Sequence, residues 1–234
     1  MKKFLTAEWR DLVMVNYEID SSLLADRIPH DTELDLHEGQ CFVSLVGFMF
    51  LNTRVLGIPI PFHVNFEEVN LRFYVKRKMP DEIRRGVCFI KEIVPRRAIA
   101  FVARAFYGEP YECWPMGNDR SDLRVDYSWG RSDVDCLVSC RLGVNLGVPA
   151  ADSHGEFIIE HYWGYTKRSE TRTDEYKVEH PKWELREVVV EGSEIDVNFG
   201  RVYGSEFAFL SDLEPYSVLF ARGSEIAVYK GKRL

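Results

Sequence analysis

The residues best placed for chemistry are two charges inside an otherwise apolar run, Gly86-Val-Cys-Phe-Ile-Lys-Glu-Ile-Val94. Read as a strand, the run puts Val87, Phe89 and Ile93 on one face with Lys91, and Cys88, Ile90 and Val94 on the other with Glu92. A strand that is apolar on both faces is normally sandwiched inside a fold, so these charges point into a core or a cavity. A desolvated lysine loses part of its preference for the charged form, and its neutral amine is a nucleophile toward a carbonyl. If the strand end is exposed instead, Lys91 simply extends to water.

The segment before it adds polar groups. From Phe66 to Val75 the period is two, with Val69, Leu71, Phe73 and Val75 on one face and Glu68, Asn70, Arg72 and Tyr74 on the other. Inside a curled sheet, Glu68, Asn70 and Arg72 would present an acid, an amide and a cation to a carboxylate-bearing ligand; on an open sheet they form a solvent face. His63, following Pro61, is a candidate general base or ligand gate. Glu160-His-Tyr-Trp-Gly-Tyr165 gathers a carboxylate, an imidazole and three aromatics, enough to wall a pocket, with Tyr162 on the face of Glu160. The six histidines have no metal-ligand spacing. There is no phosphate-cradling glycine loop, no Gly-x-Ser-x-Gly elbow and no Gly-x-Gly-x-x-Gly. No metal and no cofactor are therefore expected.

These residues need a scaffold, and the chain is long enough to build one. Its 234 residues are 46% hydrophobic and 29% charged, with no repeat or linker, which suggests one domain over residues 1–234. Thirty basic against 37 acidic residues give a net charge of −7, which argues against a nucleic-acid partner. The longest apolar stretch, Cys41 to Asn52, is too short to span a bilayer, so no membrane partner is expected either. Glu8 and Arg10 interrupt a signal-like N-terminus. Five cysteines, an odd number without Cys-x-x-Cys, read as reduced thiols of a cytoplasmic protein.

The pattern predicts a short helix between Asp20 and Pro29, and a hairpin of Glu33–Leu36 with Cys41–Phe50. A packed loop follows over Leu56–Phe62, and then a helix from Pro95 to Gly108 with Ile99, Val102 and Phe106 in one stripe. Leu123–Trp129 and Asp135–Leu142 make another hairpin. Further strands are expected at Ile158–Tyr165, Lys182–Glu191, Ser217–Ala221 and Ile226–Tyr229, the last two joined by a turn at Arg222-Gly223-Ser224. The fold class is α+β, mostly antiparallel β.

Several segments carry a resemblance: Phe4-Leu-Thr-Ala-Glu-Trp-Arg, Val43-Ser-Leu-Val-Gly-Phe, Phe66-Glu-Glu-Val-Asn-Leu-Arg-Phe-Tyr-Val, Gly86-Val-Cys-Phe-Ile-Lys-Glu-Ile-Val-Pro-Arg and Ala221-Arg-Gly-Ser-Glu-Ile-Ala-Val-Tyr. Across nearly the whole chain they resemble the YqjF-like bacterial family, which is uncharacterised. The resemblance implies an acetoacetate decarboxylase-like fold, a curved antiparallel sheet closed into a barrel or cone around a central cavity, with few flanking helices. In those decarboxylases an aromatic-x-Glu-aliphatic strand supplies an acidic cavity residue, matched here by Phe66-Glu-Glu-Val and so by Glu68. A later Pro-Lys-Lys carries their Schiff-base lysine, a case of an amine activated by a neighbouring cation. Here Pro95-Arg96-Arg97 stands in its place, and arginine does not form a Schiff base under ordinary conditions.

Two readings follow from that departure. In a lyase-like enzyme, Lys91 serves as nucleophile or base, Glu68 as proton relay, and Arg72 or Arg96 as a carboxylate clamp. In a non-catalytic binding protein the same groups, with Asn70, His63 and Tyr162, orient a small anionic or carbonyl-containing molecule. A third possibility is a filled interior whose functional surface is a homo-oligomer interface.

Overall fold

Period-two patterning runs through most of the chain, and the computed structural model, which describes residues 2–234, pairs it into one continuous sheet. The side chains of Val102, Ala103, Ala105, Phe106 and Tyr107 lie outside the described residues, so the stripe expected through Val102 and Phe106 falls there. β1 (Lys3–Ile19), β2 (Glu33–Leu34), β3 (Cys41–Val55), β4 (Ile58–Pro59), β5 (Phe66–Lys78) and β6 (Ile83–Val94) precede α1 (Arg97–Tyr107). After it come β7 (Tyr111–Cys113), β8 (Met116–Arg120), β9 (Arg124–Arg131), β10 (Val134–Gly147) and α2 (His154–Ile159). β11 (Trp163–Ser169), β12 (Arg172–Glu179) and β13 (Leu185–Asp196) lead to α3 (Phe199–Tyr203), and β14 (Ser217–Tyr229) and β15 (Lys232–Arg233) follow.

Strand order is β15-β12-β11-β6-β5-β3-β1-β14-β13-β10-β9-β8, and β14 also pairs with β12 through Val178 and Val228. Seven strands from β12 round to β14 thus form a ring. Its pairings are antiparallel except β6 with β11. The ring has two buried faces, which is why its strands carry apolar residues on both sides. Outside, Val13, Val15, Leu45, Leu71 and Phe73 pack against Tyr127 and Trp129 of β9 and against Phe199 and Phe207. The contact is close: a Cβ on Gly47 would lie 2.9 Å from Tyr127 Cδ2, and the Tyr127 hydroxyl donates to Asp11 O at 2.8 Å. Inside, Met14, Val46, Phe48, Val87 and Val94 face Phe157, Ile158 and Trp183.

Two predicted helices form where capping chemistry directs. Asp20 accepts the Ser22 N–H and starts a 3-10 turn over Ser21–Arg27; α1 stops at Gly108, whose φ of 63° lets its N–H reach Arg104 O. Four local expectations need correction. Glu33–Leu34 pairs with β5 rather than β3, drawn there by Asp35, whose N–H donates to Tyr74 O; of the expected hairpin only the His37–Gln40 bridge remains. Leu56–Phe62 is not packed: Leu56-Gly57, both at positive φ, turn β3 tightly into β4, leaving Leu56 and Phe62 59% and 89% exposed. Ile158 lies in α2, because Ser153 caps Glu156 and Glu156 in turn accepts the Asp152 N–H; the strand begins only at Trp163. Arg222-Gly223-Ser224 makes no turn. β14 runs straight through it, with Gly223 at φ 77° set so close to β1 that a Cβ would meet Trp9 O at 2.0 Å.

Candidate functional site

Side chains do not fill the inside of the ring. A cavity of about 240 Å³ remains, room for roughly eight waters at ~30 Å³ each. Leu12, Val46, Phe48, Phe50, Phe66, Val87 and Phe89 make its apolar wall. Ile60, His63 and Ala98 border it where β4 and the start of α1 meet solvent. Its polar lining includes Thr53, Glu68, Asn70, Arg72, Glu92, Glu109, Tyr111, His161 and Tyr176.

β5 supplies Glu68, Asn70 and Arg72 because its alternation runs unbroken across this stretch. β6 does not keep its alternation. Leu71 pairs with Lys91 and Arg72 with Phe89, so Ile90 has no partner and forms a bulge. The bulge inverts the facing of everything after it: Val87 and Phe89 face the cavity before it, Glu92 faces it and Val94 joins the inner core after it, while Cys88, Ile90 and Ile93 join the outer core. Lys91 therefore leaves the face assigned to it from the sequence. It sits opposite Leu71, its Nζ 2.9 Å from Glu112 Oε1, and does not line the cavity. The residue that enters is Glu92, 1% exposed.

Glu92 meets two other buried carboxyls. Glu68 accepts from Asn70 Nδ2 at 3.0 Å and from the Tyr111 hydroxyl at 2.9 Å; Glu109, just beyond the α1 stop, accepts from the Tyr176 hydroxyl at 2.5 Å. Burial pushes all three carboxyls up. Glu68 rises to about 7, the hydrogen bonds from Asn70 and Tyr111 and the charge of Arg72 only partly opposing burial. Glu109 rises to about 8, held there by burial and by Glu68 and eased by Tyr176. Glu92 goes well above the carboxylate range through burial and the repulsion of Glu109 and Glu68. The same burial and the same carboxyls raise Tyr111 and Tyr176. At neutral pH the cluster holds protons. Its groups act as hydrogen-bond donors as well as acceptors, and Glu68 is poised for proton exchange near pH 7.

The remaining predicted residues divide. Arg72 lines the cavity but turns Nη2 to Ile158 O at 3.2 Å. His63 lines it near the surface with Nδ1 2.8 Å from Pro61 O. Tyr162 does not line it; its hydroxyl donates to Glu160 at 2.6 Å and its ring lies against His180. Arg96, the N-cap of α1, is exposed and also absent from the lining. His161 enters instead: burial lowers it to about 4, so it is neutral, and its Nε2 lies 3.2 Å from Asp35. Sequence reasoning missed Glu109, Tyr111 and Tyr176. They come from different strands and connections and share no spacing, although a carboxylate directly after a helix-stopping glycine, in Gly108-Glu-Pro-Tyr111, was a visible signal. Among the described residues no cluster of His, Cys, Asp or Glu is arranged to hold a metal ion, the five cysteines are unpaired, and no helix is long and apolar enough to cross a membrane.

A ring of mostly antiparallel strands around such a cavity is the fold of the acetoacetate decarboxylase-like proteins. The whole chain superposes on acetoacetate decarboxylase from Legionella pneumophila with a TM-score of 0.67 at 13% identity, covering 88% of that chain. It matches the enduracididine biosynthesis enzyme MppR, solved with the condensation product of pyruvate and imidazole 4-carboxaldehyde, at 0.67 and 11%, covering 90%. An acetoacetate decarboxylase-like enzyme from Sphingomonas wittichii matches at 0.66 and 12%, covering 94%. Residues 6–225 match the DUF2071 family, described as an uncharacterized conserved protein, and the chain belongs to that family. It is also 32% identical over 120 residues to the uncharacterized protein YqjF of Bacillus subtilis, a match spanning 51% of this chain and 48% of that protein.

Proposed function

We propose that this protein binds a small, largely apolar organic molecule inside the ring, which acts as a closed cone around it, and does so without forming a Schiff base. One observation carries the reading. Among the described residues that line the cavity there is no lysine, while three carboxyls and two tyrosines from separate elements converge there. A folding chain has no reason to desolvate three carboxyls together for stability, since each costs free energy when unpaired with a cation. Clusters of this kind belong to sites. The apolar wall takes the body of the ligand and the carboxyl cluster takes its single polar head. MppR has been solved with pyruvate bound, so a ring of this kind admits a small organic molecule in that protein. Glu68 keeps the capacity to relay a proton, but no amine stands beside it to capture a carbonyl.

The test is native mass spectrometry with a panel of small ketones, aldehydes, alcohols, amines and keto acids, with and without borohydride. The expected result is reversible adducts that borohydride does not lock. A reduced adduct mapped to any lysine overturns the reading.

A further inference from the structure

Resting on the reading that the cavity receives a small molecule, we propose that its ligand is an organic ammonium ion with an apolar body, rather than the carboxylate or carbonyl compound that the fold resemblance suggests. The hydrogen-bond inventory at the head of the cavity points that way. The Tyr111 and Tyr176 hydroxyls are spent on Glu68 and Glu109, and Asn70 Nδ2 is spent on Glu68. What is left over beside the three carboxyls, once the cluster gives up a proton, is acceptor; the partnerless donors of the lining, Trp9 Nε1 and Arg72 Nε, lie outside that cluster. Glu92 Oε2 and Asn70 Oδ1 are buried, belong to lining residues, and have no partner. A buried orphan acceptor costs free energy until a donor reaches it. A ketone or a carboxylate brings no donor. An alkylammonium brings three, together with the positive charge that the carboxyls lack.

The surrounding charges leave this end of the cavity acidic. Facing the cluster are Glu68 and Arg72 from β5, Glu92 from β6, Glu109 and Tyr111 from the segment entering β7, and Tyr176 from β12. Arg168 also acts on it through Glu109, and Glu109 in turn raises the buried Cys88 thiol. Arg72 donates through Nη2 to Ile158 O, keeps a buried Nε without a partner, and lies four residues from Glu68, about 13 Å along an extended strand. Arg168 donates to Asp174 at 2.6 Å. Neither is bonded to the three carboxyls. Binding then couples to protons. An incoming ammonium keeps its own proton, one cluster carboxyl gives up its proton to the buffer, and the pair left behind is R–NH3+ beside a carboxylate.

Isothermal titration calorimetry with four probes of matched tail length tests this: hexylamine, hexan-1-ol, heptan-2-one and hexanoate. Near pH 7, hexylamine should bind at least about tenfold tighter than the alcohol and the ketone, and hexanoate weakest of all, since charge-assisted bonds are about twice as strong as neutral ones. Repeating the hexylamine titration in buffers of different ionisation enthalpy should show net proton release, and affinity should climb from pH 6 to 8 and then level. Glu92→Gln should weaken hexylamine by at least about tenfold, a charged hydrogen-bond partner being removed, and leave hexan-1-ol within a factor of about three. If that variant does not fold, proton release by the wild-type protein decides alone. Equal or tighter binding of the alcohol or ketone, or proton uptake with hexylamine, overturns the ammonium assignment and leaves the cavity reading standing. Failure of all four probes to bind overturns both.

Discussion

Replacing Glu68 by glutamine should make the protein more stable at high pH and less stable at low pH, so that the stability curves of wild type and variant cross. Burial raises this carboxyl from an ordinary 4.5 to about 7. Its folded value thus exceeds its unfolded one, and between these pH values the native state holds a proton that the unfolded chain has released. Wild-type stability from this group is complete below about pH 4.5 and falls as pH rises to about 7. At about 1.4 kcal/mol per pH unit, the loss is about 3 kcal/mol. Glutamine does not ionise and escapes that loss, but it disturbs the hydrogen bonds with Tyr111 and Asn70, at a cost of about 1 kcal/mol. The variant should be about 2 kcal/mol more stable than wild type at pH 8 and about 1 kcal/mol less stable at pH 4. With a urea slope of about 2 kcal/mol/M, the difference between the two unfolding midpoints moves by about 1.5 M across that range. Parallel midpoints from pH 4 to pH 8, at any offset, refute the claim that Glu68 is held protonated by its surroundings.

Three other changes probe separate parts of the fold. Tyr111→Phe removes a donor that favours ionised Glu68, so the pH at which wild-type stability is half lost should move upward in the same urea series, with a loss of about 1–2 kcal/mol at low pH. Lys91→Ala breaks only the partly exposed pair with Glu112. It should cost less than about 1 kcal/mol and leave every cavity-binding constant unchanged by calorimetry. Gly223→Ala forces a side chain onto a residue at φ 77° and against Trp9 O, so thermal unfolding should show a loss of more than about 2 kcal/mol or no folded protein.

Much of the ring was legible because period two survives wherever a strand runs regularly. The alternation of Phe66–Val75 put Glu68, Asn70 and Arg72 on one face, and all three line the cavity. The same rule misplaced Lys91 and Glu92, because one extra residue at Ile90 inverts the facing of everything beyond it, and no glycine or proline marks the bulge. Ile158 was misread for a different reason: the Ser153-x-x-Glu156 capping signature was present, but the aromatic run after it suggested a strand. Glu109 and Tyr111 reach the cavity only because the chain after α1 returns beside β6 as a parallel strand, a pairing set by tertiary packing with no local period. The decarboxylase resemblance directed attention to a lysine, whereas the chemistry that the ring assembles is a set of carboxyls drawn from three stretches of chain.

The most direct measurement is methyl-detected NMR of the isotope-labelled protein titrated with hexylamine, because it locates the bound molecule. The account predicts shift changes concentrated on Leu12, Val46 and Val87, which line the cavity, with little change at Val125 or Val138 in the outer core. Changes centred on the outer core around Leu71 and Ile93, beside Lys91 and Glu112, with the inner methyls undisturbed, would contradict it.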